Sequence, residues 1–253
     1  MPKHKLSFKG TNNNTLIAEF DTPDNVEQRF IALYAPCFTC TKNLRAIKYI
    51  SKMLNKKGIS LFRFDFPGLG ESEGDFSQSN FSTNLENIKH AYNYLKDNYE
   101  APKLLIGHSL GGAAMLKMTM ELPEVVATAV IAAPDTPSHL IGKLKRNKEE
   151  AEIYGVSKRN IGGEVFSLTK GFFDNLILNS EDFDLSKITK PLLVMHSPDD
   201  DTIDLDYSLK IFNQVSGHKS FITLNNVGHL MMKPKDAEYV GKLITTWIGT
   251  YLD

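Results

Sequence analysis

The stretch Lys103-Leu104-Leu105-Ile106-Gly107-His108-Ser109-Leu110-Gly111-Gly112 limits what this chain can fold into more than any other part of it. Its first residues form a short apolar run with the length of a buried strand. Ala113-Ala114-Met115-Leu116-Lys117-Met118, which follows, reads as helix. Only a sharp turn fits between the two, and glycines flank a serine there. Small neighbours let such a turn tighten without clashes while the serine backbone carries strain. A strand feeding straight into a helix is the unit of a parallel α/β sheet. The junction lies at the carboxyl edge of that sheet, where open α/β folds bind ligands. Ser109 is therefore the candidate nucleophile of a Gly-x-Ser-x-Gly turn. The positive end of the following helix favours a developing oxyanion.

The rest of the chain alternates in the same way. Strands are predicted at Lys5–Lys9 and Thr15–Phe20, an antiparallel start, then at Phe30–Ala35, Ser60–Phe64, Lys103–Ile106, Thr128–Ala132, Leu192–His196 and Ser220–Leu224. Leu44, Ile47, Ile50 and Leu54 repeat at helical spacing, with Gly58 as a stop. Leu85, Ile88, Tyr92 and Leu95 form a second stripe, with a capping box expected at Thr83–Glu86. Val240, Leu243, Trp247 and Tyr251 predict a C-terminal helix. The 253 residues suit one domain, 1–253, with a mostly parallel eight-stranded sheet flanked by helices. Residues 135–190 break the rhythm. With the charged run Lys143–Glu150 and the turn Ile161-Gly162-Gly163, they read as an insertion holding a helix and a hairpin, a cap over the sheet.

A serine hydroxyl needs a base, and in this topology the acid precedes the histidine. His229, between the last strand and the last helix, returns to the carboxyl edge and is the candidate base. His218 precedes the last strand and belongs at the opposite edge, and His196 closes a strand beside the acid turn. That turn reads Ser197-Pro198-Asp199-Asp200-Asp201-Thr202-Ile203. One carboxylate must be buried against the imidazole, and the others solvate the turn. Asp200 is the choice, with Asp204 as an outside candidate. The oxyanion hole needs two backbone N–H groups. Leu110 supplies one, and Phe38, in Pro36-Cys37-Phe38-Thr39-Cys40, supplies the other. Asp65-Phe66-Pro67-Gly68-Leu69-Gly70-Glu71-Ser72 frames the entrance.

These landmarks in this order resemble the α/β-hydrolase superfamily over nearly the whole chain. The residues Cys37–Cys40, Arg63–Phe66, Gly107–Ala114 and Met195–Pro198 are similar to the hydrolase half of bifunctional α/β-hydrolase/OsmC-family proteins. No counterpart of the peroxide-reducing half of those proteins is expected, and none of its chemistry is carried over. The resemblance implies a serine carboxylesterase acting on short acyl esters, with thioester or amide cleavage as the alternative. The acid turn follows the fold's His-Gly-x-x-Asp-x-x-Val pattern, with Ser197 in place of the glycine.

Rival readings come from other classes. Cys37-x-x-Cys40 between a strand and a helix has the form of a redox dithiol, although a free buried pair shaping the loop is the expectation. A non-catalytic binding protein on the same fold is a second rival. No cofactor and no metal are expected, since no His/Cys/Asp cluster has close ligand spacing. His108 and His139 are expected to be structural or exposed rather than substrate contacts. A net charge of −1 gives no basic field for nucleic acid. No apolar run reaches membrane length, and none follows the N-terminus as in a signal peptide. The expected partner is a small-molecule ester, and the expected home is a reducing cytoplasm.

Overall fold

The computed structural model describes residues 2–252. In chain order its elements are β1 (Lys3–Lys9), β2 (Thr15–Asp21), β3 (Phe30–Ala35), α1 (Arg45–Asn55), β4 (Ile59–Phe64), α2 (Phe81–Asn98), β5 (Leu104–His108), α3 (Leu110–Glu121) and β6 (Ala127–Ile131). There follow α4 (His139–Lys143), α5 (Lys145–Tyr154), β7 (Val156–Ile161), β8 (Glu164–Thr169), α6 (Lys170–Glu181), β9 (Leu192–His196), α7 (Leu205–Gln214), β10 (Lys219–Thr223) and α8 (Pro234–Ile248). Eight strands form one sheet in the order β1-β2-β4-β3-β5-β6-β9-β10. The β1–β2 and β2–β4 pairs are antiparallel and every other neighbour is parallel. All eight strands expected from the sequence are present, within two residues at each end.

The central strands are buried on both faces, which is why they read as continuous apolar runs. In β3, Phe30, Ala32 and Tyr34 face one core and Ile31, Leu33 and Ala35 the other. The first core is closed by α1 and α8 through Ile47, Ile50, Val240 and Ile244, and the second by α2 and α3 through Ile88, Leu95, Ala113 and Leu116. Helices α1 and α8 pack closely: a Cβ on Gly241 would lie 2.8 Å from Met53 Cβ.

Two local expectations are corrected. Helix α2 begins at Phe81, so Thr83 is not its first cap. The Asn80 side chain accepts from the Thr83 N–H and the Thr83 hydroxyl oxygen accepts from the Asn80 N–H, a reciprocal box three residues upstream of the expected one. On α8 the buried stripe runs through Ala237, Val240, Ile244 and Ile248, leaving Leu243 and Trp247 half-buried.

Between β6 and β9, residues 135–190 hold three helices and a separate hairpin, more helix than the sequence suggested. Gly162 and Gly163 make its two-residue turn at φ +63° and +95°, the left-handed pair that matches hairpin twist. Leu144, Phe166, Leu168 and Phe173 are buried and continuous with the α2/α3 core, so the segment is packed against the domain.

Candidate active site

Ser109 sits alone between the end of β5 and the start of α3, at φ 55° and ψ −126°. This is a left-handed backbone for a residue with a side chain, of the kind that costs roughly 1–3 kcal/mol. The surroundings hold it there. Its N–H donates to the Ile131 carbonyl at 2.9 Å, and its own carbonyl accepts from the Gly112 N–H at 2.8 Å. The glycines are required by close approach. A Cβ on Gly111 would stand 2.3 Å from the Pro36 carbonyl oxygen, and one on Gly107 would stand 2.5 Å from that of Gly111.

Asp200 and His229, 29 residues apart, meet beside this turn: His229 Nδ1 is 2.8 Å from Asp200 Oδ2. The carboxylate can only accept, so Nδ1 carries the proton and Nε2 is left as the base. Asp200 Oδ1 accepts from the backbone N–H groups of Thr202 at 2.8 Å and Ile203 at 2.9 Å. Its Oδ2 also lies 3.4 Å from His196 Nε2. Burial works against the Asp200 charge, but hydrogen bonds from His196, His229 and Ile203 outweigh it and hold the carboxyl well below the usual carboxylate range. The neighbouring carboxylates do other things. Asp199 accepts from the Asn226 N–H at 2.7 Å, so it ties the acid turn to the His229 loop rather than only solvating its own turn. Asp201 is exposed and accepts from the Thr202 hydroxyl, and Asp204 caps α7 by accepting from the Asp206 N–H.

The remaining histidines separate by environment. His218 is exposed at the start of β10, on the edge of the sheet away from Ser109. His196 is fully buried: its Nε2–H donates to the Ile203 carbonyl at 2.9 Å and its Nδ1 is 2.6 Å from Ser208 Oγ. His108 is also fully buried, and its Nε2–H donates to the His229 carbonyl at 2.8 Å. His139, at the start of α4, packs edge-on against the Tyr207 ring at 4.5 Å between centroids and lines the same cavity as Ser109.

Phe38 and Leu110 both border that cavity. Leu110 is the first residue of α3, so its N–H has no partner within the helix. Cys37 and Cys40 on either side of the Phe38 loop are joined by a disulfide, which corrects the expectation of free thiols. Within the bridge the Cys40 N–H donates to the Cys37 carbonyl at 3.0 Å, a four-residue turn that brings the two sulfurs together.

A buried ionic knot anchors the far end of this loop. Lys42 and Asp65 are both fully buried and pair at 2.6 Å, and Asp65 also accepts from the Lys42 N–H at 2.7 Å. The guanidinium of Arg63 donates to the Lys42 carbonyl and pairs with Asp21 and Glu19. The Asp65–Ser72 loop therefore braces the Phe38 loop. Gly70 is required because a Cβ there would lie 2.2 Å from Asp65 Oδ2. Lys42 was not singled out in the sequence, since only the folded loop shows that its ammonium is buried.

The cavity has a volume of about 410 Å³. Ser109 and His229 open into it, and its apolar walls come from Phe38, Leu110, Leu140, Leu144, Ile161 and Ile203. Three of these six residues belong to the 135–190 segment.

Comparison with known proteins places the fold and the family. Residues 41–148 match the family model described as serine aminopeptidase, S33. The crystal structure of the esterase domain from a Rhodothermus marinus protein is 34% identical, each chain covering 100% of the other, with a TM-score of 0.79. Est1E from Butyrivibrio proteoclasticus, solved with ferulic acid, shares the fold at 21% identity and a TM-score of 0.81, over 97% of this chain and 98% of that one. Palmitoyl-protein thioesterase ABHD10, mitochondrial, from Homo sapiens is 26% identical over 221 residues, 83% of this chain and 68% of that protein. Among the described residues no helix is long and apolar enough to cross a membrane. With a relative 34% identical over the whole of both matched chains and a mostly parallel eight-stranded sheet carrying Ser109 at its strand-to-helix turn, this chain belongs to the α/β-hydrolase superfamily.

Proposed function

We propose that the chain is a serine hydrolase that cleaves short-chain carboxylic esters through Ser109, His229 and Asp200. One observation carries the reading. A serine held at φ 55° on a strand-to-helix turn opens into the same cavity as a histidine whose Nδ1–H is bound by a buried carboxylate. Ser109 Oγ attacks the ester carbonyl while His229 Nε2 takes its proton. The oxyanion is received by the N–H groups of Phe38 and Leu110. The intermediate collapses as His229 returns the proton to the leaving alcohol, and an acyl-enzyme remains. Water, deprotonated by His229, then releases the acid. Residues 135–190 act as a cap whose walls select the acyl group.

Thioester cleavage is the second reading, favoured by the similarity to a protein named as a thioesterase. The mechanism is unchanged except that a thiol leaves. A series of p-nitrophenyl esters of increasing chain length, with matched thioesters, ranks the two. Ser109→Ala is expected to abolish turnover of p-nitrophenyl acetate and labelling by a fluorophosphonate; retained turnover would overturn the reading.

A further inference from the structure

Two solvent-exposed, unpaired cations line the reaction cavity. Lys143 ends α4 and Arg159 lies in β7, so they enter from different elements of the cap, and both line the cavity that holds Ser109 and His229. None of its lining residues is an aspartate or glutamate. Neither cation makes a hydrogen bond or ion pair among the described residues, whereas Arg146, Lys148 and Lys170 of the same segment each hold a carboxylate four residues on. The protein as a whole carries a charge of −1, so a cavity with two positive groups and no negative one does not follow from composition.

Strand register makes the placement of Arg159 specific. It pairs with Phe166, and in an antiparallel ladder directly paired residues share a face. Ser157 and Leu168, the pair beside it on that face, are buried, as is Phe166. Arg159 is thus on the same side of the hairpin as buried Ser157, with its own side chain exposed, and the adjacent Asn160 also borders the cavity. Lys143 has an ordinary role at a helix C-terminus, where a cation suits the dipole. That role does not extend to Arg159.

We infer that Lys143 and Arg159 are specificity-determining residues that bind an anionic group, a carboxylate or phosphate, carried by the substrate at a distance from the scissile ester. The inference rests on the hydrolase reading. An anion held there is steered toward an otherwise apolar cavity and oriented with its carbonyl toward Ser109. His139, which lines the same cavity, adds no third charge: burial first, then Lys143 and His229, lower its pKa and favour the neutral ring.

The anion can belong to the acyl part or to the alcohol, and two matched pairs of esters separate these. The first compares p-nitrophenyl hemiglutarate with p-nitrophenyl valerate; the second compares 3-carboxyphenyl butyrate with phenyl butyrate. In at least one pair the wild-type protein is expected to prefer the anionic ester by about tenfold in kcat/KM, mostly through KM. That ratio should collapse toward one in the Lys143→Gln/Arg159→Gln double variant and shrink with added salt. Equal kcat/KM within both pairs, or a preference that survives the double variant, would overturn the inference and leave the hydrolase intact. No turnover of any ester in either pair would count against the hydrolase reading itself.

Discussion

The ring Nε2 of His108 lies 2.8 Å from the backbone carbonyl oxygen of His229, so the residue preceding the candidate nucleophile holds the loop of the candidate base. The two rings are 4.9 Å apart between centroids. His108 ends β5 and is fully buried, and His229 follows β10, so this bond ties two segments distant in sequence together beneath the cavity surface. It couples the two halves of the site without touching a substrate.

His108→Phe keeps the volume and removes the donor, which leaves a buried carbonyl unsatisfied at a cost of about 1–3 kcal/mol. The expected result is a fall in kcat of roughly tenfold to a hundredfold with KM little changed, read from steady-state ester hydrolysis. The variant also tests linkage. Burial, then the nearby His229, push the His108 pKa from 6.5 to about 3. The folded value lies below the unfolded one, so the unfolded chain takes up the extra proton. Stability from this residue is intact above about pH 6.5 and is lost as pH falls toward about 3. Between those limits, urea unfolding of the wild type should lose stability about 1.4 kcal/mol per pH unit faster than His108→Phe. Parallel pH dependences would show that His108 is not held neutral.

Three adjacent aspartates should respond very differently to removal of charge. Asp200→Asn is expected to lower kcat by about a thousandfold or more, because the amide stabilises neither the tautomer nor the imidazolium of His229. Asp199→Ala should cost about three- to tenfold through the lost tie to Asn226. Asp201→Asn, at an exposed side chain, should stay within about twofold of wild type. Comparable losses at Asp200 and Asp201 would refute the assignment of the acid.

Reduction of the Cys37–Cys40 bridge should loosen the Phe38 loop without dissolving the fold, since the buried Lys42–Asp65 pair still anchors its far end. A four-residue closure contributes roughly 2 kcal/mol in the chain-entropy picture. Dithiothreitol, or Cys37→Ser/Cys40→Ser, is expected to lower kcat several-fold while fluorophosphonate labelling of Ser109 persists. An exchangeable bridge in a protein with no ester turnover would instead support a redox role.

What the sequence determined by itself was local. The continuous apolar run of β3 and the strand–Gly-x-Ser-x-Gly–helix junction depend on neighbours in the chain, and all eight strands of the sheet were legible. Tertiary structure decided whatever depends on distant residues coming together. A run of three aspartates cannot show which one receives two backbone N–H groups and an imidazole, because His229 lies 29 residues away and His196 reaches the same oxygen only after β9 is placed. A Cys-x-x-Cys spacing is compatible with free thiols or a bridge, and the four-residue turn between β3 and α1 decides for the bridge. Lys143 and Arg159 read as surface charge in sequence. They acquire a shared direction only when α4 and the hairpin fold over Ser109, because a cavity is a property of packed elements and leaves no pattern in any one of them.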